Sequence, residues 1–188
     1  MSNNCPKKSN SRCFGFTLVE VMTALTIIMV GIVGVYGLIN QTLSASKTAS
    51  MQLTAAYLGK EGIEIVRNIR DSNYLKSLNG EPGYDQEHSW MSGLTSSGSP
   101  ENVNCSTSTG CAADYSMQAL SLGYANTPLK FNGSFYNYST GVETPYKRII
   151  TVNHSGGNFL EVVVSVNWVE HGRNHSMTVR ENLYNWWN

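Results

Sequence analysis

The sequence predicts an α+β fold in which one long N-terminal helix packs on a C-terminal antiparallel β-sheet. Three observations carry that expectation. Leu18–Ile39 is an almost uninterrupted apolar run. Met51, Ala55, Leu58, Gly62, Ile65 and Ile69 recur at alternating spacings of four and three. Leu160, Val162, Val164, Val166 and Trp168 alternate with Glu161, Val163, Ser165 and Asn167. The first two patterns suit a helix, the third a strand with one buried face. At 188 residues the chain is long enough for one modest domain with its own core.

The first fifteen residues are a basic leader, with Lys7, Lys8 and Arg12 and no acid. The apolar segment (16–40) follows. At about 1.5 Å per residue the run 18–39 just crosses a hydrocarbon layer of about 30 Å. Basic residues precede it, so the positive-inside tendency keeps the N-terminus in the cytoplasm and puts everything after Ile39 outside. A core helix is rarely so apolar on every side. An ordinary secretory signal peptide would need a shorter apolar core, although Ser44-Ala45-Ser46 offers a loose cleavage site. A lipoprotein signal fails because Cys13 precedes the run.

Glu20 is the single charge in that run. An ionised carboxylate in an apolar phase costs several kcal/mol, which makes an intramembrane acid a functional candidate. A new α-amino group at Phe16, four residues away or on a neighbouring copy, would offset that cost, and this gives a physical reason to cut between Gly15 and Phe16. The alternative is a Glu solvated at the membrane interface.

The amphipathic continuation (41–73) carries the stripe from Met51 to Ile69. Lys60/Glu64, Arg67/Asp71 and Glu64/Arg67 can pair on its wet face, each for only a few tenths of a kcal/mol. One helix is expected from Thr17 to Asp71, about 80 Å long and ending at Ser72-Asn73. A coiled coil would also use such a stripe, but Ala55 and Gly62 favour close approach to a sheet.

That sheet is expected in 146–188. A strand from Tyr146 through Ile150 and Val152 turns at Ser155-Gly156-Gly157-Asn158 into the alternating run. The chain turns again at His171-Gly172-Arg173-Asn174 into a strand with Met177, Val179 and Leu183. Such a meander needs a cover on its apolar face, and the helix stripe supplies one. Between helix and meander, 74–145 is a loop-rich αβ region with turn signals at Asn79-Gly80, Pro82-Gly83, Ser97-Gly98 and Asn132-Gly133. Cys105 and Cys111 lie within it. In an oxidising compartment they would close a short disulfide loop; two free thiols are the alternative.

Composition excludes several functions. Thirteen basic and thirteen acidic residues balance, and without the leader ten basic residues face thirteen acidic ones, so no specific nucleic-acid binding is expected. His171 and His175 are four apart but flank a turn, so no metal site is expected, and His88 and His154 have no ligand pattern around them. No phosphate loop or nucleophile elbow occurs, and no cofactor is implied. Glu161 and Glu170 read as strand-surface charges. Tyr136, Tyr138, Tyr146, Trp186 and Trp187 read as core or subunit-contact aromatics.

Gly15-Phe16-Thr17-Leu18-Val19-Glu20, after a basic leader and before an apolar run, resembles the processing site of type IV prepilins and type II secretion pseudopilins. The resemblance covers about the first quarter of the chain. It implies a pilin-like architecture, cleavage after Gly15 by a prepilin peptidase, N-methylation of Phe16, and a role for Glu20 in registering an incoming subunit against its neighbour's terminal amine. The partners it implies are that peptidase, other pilin subunits, an assembly platform, and the membrane before assembly. It implies a structural subunit and not an enzyme. A minor pilin is the expectation, with a pseudopilin of a secretion or DNA-uptake machine, or an uncleaved membrane-anchored binding protein, as alternatives. One departure is that many major pilins carry a proline where this chain has Gly37, in the series Gly31, Gly34 and Gly37. These glycines could let the helix stretch, or pack closely in the membrane.

Overall fold

The computed structural model describes residues 15–85, 89–98, 101–106, 110–124, 126–154 and 158–186. Helix α1 (Leu18–Leu78) comes first, followed by a 3-10 turn at Ser89–Met91. Five strands complete the chain: β1 (Pro128–Phe131), β2 (Tyr136–Asn137), β3 (Val142–Asn153), β4 (Phe159–Glu170) and β5 (Arg173–Tyr184). The chain divides into two compact units at Lys47/Thr48, and α1 contributes to both.

In the second unit α1 lays Ala55, Leu58, Gly62, Ile65 and Ile69 on the sheet, with Gly59, Ile63 and Val66 widening the stripe. Met51 packs against the edge of this core. Gly59 and Gly62 are contact points. A Cβ at Gly62 would sit 2.8 Å from Val164 Cγ1, and one at Gly59 would sit 2.8 Å from Val179 Cγ2. Both glycines let the helix backbone approach the strands closely. Leu58, Val66, Ile150, Val152, Leu160, Val162, Val164 and Val166 are all but sealed from solvent. Each such side chain contributes about 1.5–3 kcal/mol by burial, well above any surface ion pair on the helix.

The helix does not stop at Ser72-Asn73. The amide of Asn73 donates to the carbonyl of Ser92 (2.7 Å), which ties the helix to the loop beside it. The helix ends at Asn79-Gly80, read in the sequence as a loop turn. Gly80 takes a positive φ of 69°. The Gly80 and Glu81 N–H groups donate to the carbonyls of Ser77 and Lys76 (both 3.1 Å), the paired bonds of a glycine-terminated helix.

The sheet is antiparallel in the order β2-β1-β3-β4-β5. The expected meander is β3-β4-β5, in continuous register from Lys147↔Asn167 to Asn153↔Glu161 and from Phe159↔Tyr184 to Glu170↔Arg173. β3 begins four residues earlier than expected, at Val142, and β5 begins at Arg173 after a two-residue turn, His171-Gly172, with both φ angles positive. Three of the four residues of the expected β3–β4 turn, 155–157, lie outside the described residues.

The region 74–145 is also part of the core. It adds the β1–β2 hairpin and buries Trp90, Met91, Leu94, Ala112, Ala113, Leu120, Leu129 and Tyr138. Beyond the reach of β1, the free edge of β3 is taken up by the cysteine loop. Cys111 and Ile150 exchange both backbone hydrogen bonds (2.8 and 2.7 Å), and Val152 N–H donates to the Cys105 carbonyl (3.3 Å). The two sulfurs are bonded, with Cα atoms 5.2 Å apart.

Three charged residues are buried among those described: Asp114 in the loop before β1, and Arg148 and Glu170 at inward-facing positions of β3 and β4. Arg148 on β3 has no solvent-exposed surface. Its Nη1 donates to the Leu58 carbonyl (3.2 Å) and lies 3.2 Å from Glu61 Oε2, and its Nη2 donates to the Ala113 carbonyl (2.6 Å). Glu170, read in the sequence as a surface charge, is 6% exposed and accepts a hydrogen bond from Thr48 Oγ1 (3.1 Å). It is the last residue of β4 on the helix-facing side, where the strand alternation points its carboxylate inward.

Candidate processing and assembly site

The start of α1 is built by its own side chains. Thr17 Oγ1 accepts the N–H of Glu20 (3.3 Å), and the Thr17 carbonyl accepts the N–H of Val21 (3.2 Å). Thr17 is therefore the N-cap and Glu20 the third helical residue, the spacing of a capping box. Sequence reading singled out Glu20 and missed Thr17, although the Thr-x-x-Glu spacing is the signal for both. Glu20 is the acid of the helix's first turn, at the positive end of the helix dipole. Phe16 stands immediately before the cap and is 80% exposed. A Cβ at Gly15 would meet nothing within 4 Å, so no contact among the described residues requires a glycine there.

From Leu18 to Ile39 every side chain is exposed, and the large apolar ones point in all directions around the helix. A helix that is apolar all round needs lipid or neighbouring helices to cover it. Its length and composition suffice to cross a membrane. Gly31, Gly34 and Gly37 also have open space where a Cβ would go, and the helix runs through them without a break.

Residues 10–36 match the prokaryotic N-terminal methylation motif. This is the signature of type IV prepilins and pseudopilins, and it spans Gly15, Phe16 and Glu20. No curated protein and no solved structure matches the chain. The methylation motif therefore bears on the N-terminal segment, and the head rests on its own geometry. A long helix, apolar in its first half and packed on an antiparallel sheet in its second, is a pilin-like α+β fold.

The remaining candidates lie elsewhere or are not described. Lys7, Lys8 and Arg12, with Cys5 and Cys13, lie outside the described residues, as do His88 and Trp187. His171 Nδ1 and His175 Nε2 approach the two oxygens of Glu170 at 3.8 and 4.0 Å. Among the described residues no group of three or more His, Cys, Asp or Glu side chains is arranged to hold a metal ion. His154 packs edge-on against Trp90. Tyr138 and Tyr146 are buried, and Trp186 rests on Tyr74.

Proposed function

We propose that this chain is a filament subunit made as a prepilin and that its work is mechanical. A membrane peptidase cuts between Gly15 and Phe16, and the new Phe16 amine is methylated. Glu20 then registers the incoming subunit by pairing with the terminal amine of its neighbour. The observation that carries this reading is one acid, Glu20, held at the capped start of a helix whose run from Leu18 to Ile39 is otherwise free of charge and exposed on all sides, within a match to the methylation motif. Alone in an apolar phase that carboxylate costs several kcal/mol, and a fixed ammonium beside it offsets the cost. Among the described residues nothing requires glycine at position 15, and a glycine there suits a peptidase active site that admits the backbone closely.

The leader faces the cytoplasm, the apolar helix sits in the inner membrane before assembly, and the head is extracytoplasmic. In the filament the apolar half of α1 is buried against the same half of other subunits, drawn from the membrane by an assembly platform. A minor pilin fits better than a major one, because Gly37 replaces the common proline and the Cys105–Cys111 pair lies mid-chain.

The test is the intact mass of protein recovered from envelopes and from sheared filaments, for the natural chain and for Glu20→Ala. A species starting at methylated Phe16 is expected for both, with Glu20→Ala absent from filaments. Full-length protein, in cells that process their other prepilins, would overturn the reading and leave an uncleaved membrane-anchored protein. Recovery in a secretion pseudopilus instead of a surface pilus would reassign the machine and keep the chemistry.

A further inference from the structure

The face of the sheet turned away from α1 holds an open cleft of about 390 Å³ where β3, β4 and β5 lie side by side near the β4–β5 turn. This is within the range of small-ligand sites. Strand alternation decides which side chains face it. Tyr146, Arg148, Val166 and Trp168 are buried towards the helix, so Lys147, Asn167 and Val169 point the other way. Lys147 pairs in register with Asn167, Asn167 with Ser176, and Val169 with Asn174. At about 4.8 Å between strands, the row Lys147–Asn167–Ser176 spans about 10 Å. Pro145 and the 54%-exposed Val169 give the cleft an apolar patch. Beneath it, on the helix side, the Trp168 and His175 rings stack at 5.4 Å and stiffen the floor.

Besides Trp168 and His175, the lining has one cation, two amides, a hydroxyl and no carboxylate. The nearest acid in sequence, Glu170, is turned to the opposite face and held by Thr48. Among the described residues the ion pairs engage other cations, and Lys147 has no acidic partner. A half-buried lysine beside neutral hydrogen-bonding groups and an apolar surface suits a ligand with one carboxylate, many hydroxyls and a sugar-ring face. Lone phosphates and nucleic acid call for more cations or a nest of backbone N–H groups. We propose that this cleft binds the uronate units of acidic polysaccharides. Lys147 takes the carboxylate, Asn167, Asn174 and Ser176 bond the hydroxyls, and the ring lies on Val169 and Pro145. The site lies wholly in the head and is independent of processing and assembly at the N-terminal segment.

The test uses the full chain in detergent micelles, titrated with tri-galacturonate and, separately, with its fully methyl-esterified form. Saturable binding of the acid is expected, with at least about tenfold weaker binding of the ester, because the charge-assisted hydrogen bond is lost. Lys147→Gln should weaken tri-galacturonate by a similar factor at unchanged melting temperature, while Lys130→Gln leaves it as it was. The ester comparison needs no variant, so it decides the matter even if Lys147→Gln folds poorly. The proposal is overturned if tri-galacturonate does not saturate, if acid and ester bind alike, or if folded Lys147→Gln binds like the natural chain. Inorganic phosphate that competes as strongly as the uronate would overturn the sugar assignment in favour of a general anion site.

Discussion

Arg148 sits in the core with its guanidinium shared between α1 and the loop before β1, and only its Nε lacks a partner among the described residues. Replacing it by Ala removes a charge that satisfies the Ala113 carbonyl, leaves Glu61 without a counter-ion and opens a cavity. A loss of about 3–5 kcal/mol is expected in chemical denaturation of the full chain. Glu61→Gln should cost clearly less, because the Glu61 side chain is one-third exposed and water can share its role. Equal losses would show that the pair itself, and not the buried cation, carries the stability. At the other end of the helix, Thr17→Val removes the N-cap, which is worth about 1 kcal/mol locally. Faster amide exchange at Glu20 and Val21 in micelles is the expected signature, with the head unaffected.

Within the helix, glycines of one type play two roles that substitution separates. Gly62→Ala puts a methyl 2.8 Å from Val164 Cγ1 and 3.2 Å from Arg148 Cδ, so about 1–3 kcal/mol of overpacking should outweigh the gain in helix propensity. Gly34→Ala meets nothing among the described residues and should leave the melting temperature of the unassembled protein unchanged or slightly higher. If assembly uses these glycines for stretching or close packing, Gly34→Ala will lower filament yield without lowering stability. The cysteine loop is the other element with a separable role. Cys105 and Cys111 are six residues apart, and closing so short a loop is worth about 2–3 kcal/mol. Reduction should lower the denaturation midpoint by that amount and expose the edge of β3 that Cys111 now occupies. Gly110, at φ 61° and crowded by Ile149, is the residue that lets the chain enter that pairing.

Across the head as a whole, stability should depend on alkaline pH more than its balanced charge suggests. Burial pushes the phenol groups of Tyr138, Tyr146 and Tyr136 above the ordinary tyrosine value, with Arg148 partly opposing this at Tyr138. An unfolded tyrosine loses its proton near pH 10 (about 10). Below that pH both states are neutral at these positions and the contribution to stability is complete. Above it the unfolded chain releases protons first, so stability falls as pH rises towards the folded values. Melting temperature measured from pH 8 to 11 should decline beyond about 10, and Tyr138→Phe should flatten the decline. The β5 edge of the sheet carries Arg173 and Arg180, which discourage edge-to-edge pairing between heads.

How much of this was legible beforehand follows from the range of the interactions involved. The apolar run, the stripe from Ala55 to Ile69 and the alternation from Leu160 to Trp168 are local periodicities, and each reports a face that must be covered wherever the chain goes. The charge of Glu20 stands out in an apolar run at single-residue resolution, while Gly15 and Phe16 enter through the resemblance to a prepilin processing site. The inward turn of Glu170, the buried Arg148 and the core formed by 89–138 were not legible. A buried charge reads like a surface charge until its partners, Leu58, Glu61 and Ala113 for Arg148, arrive from elsewhere in the chain. Cys105 and Cys111 are buried by long-range pairing with β3 that no local pattern encodes. The sequence by itself determined which segment is apolar, which faces are sticky and where an acid is out of place. Tertiary structure alone decided which charges are inside, because that depends on contacts between residues dozens of positions apart.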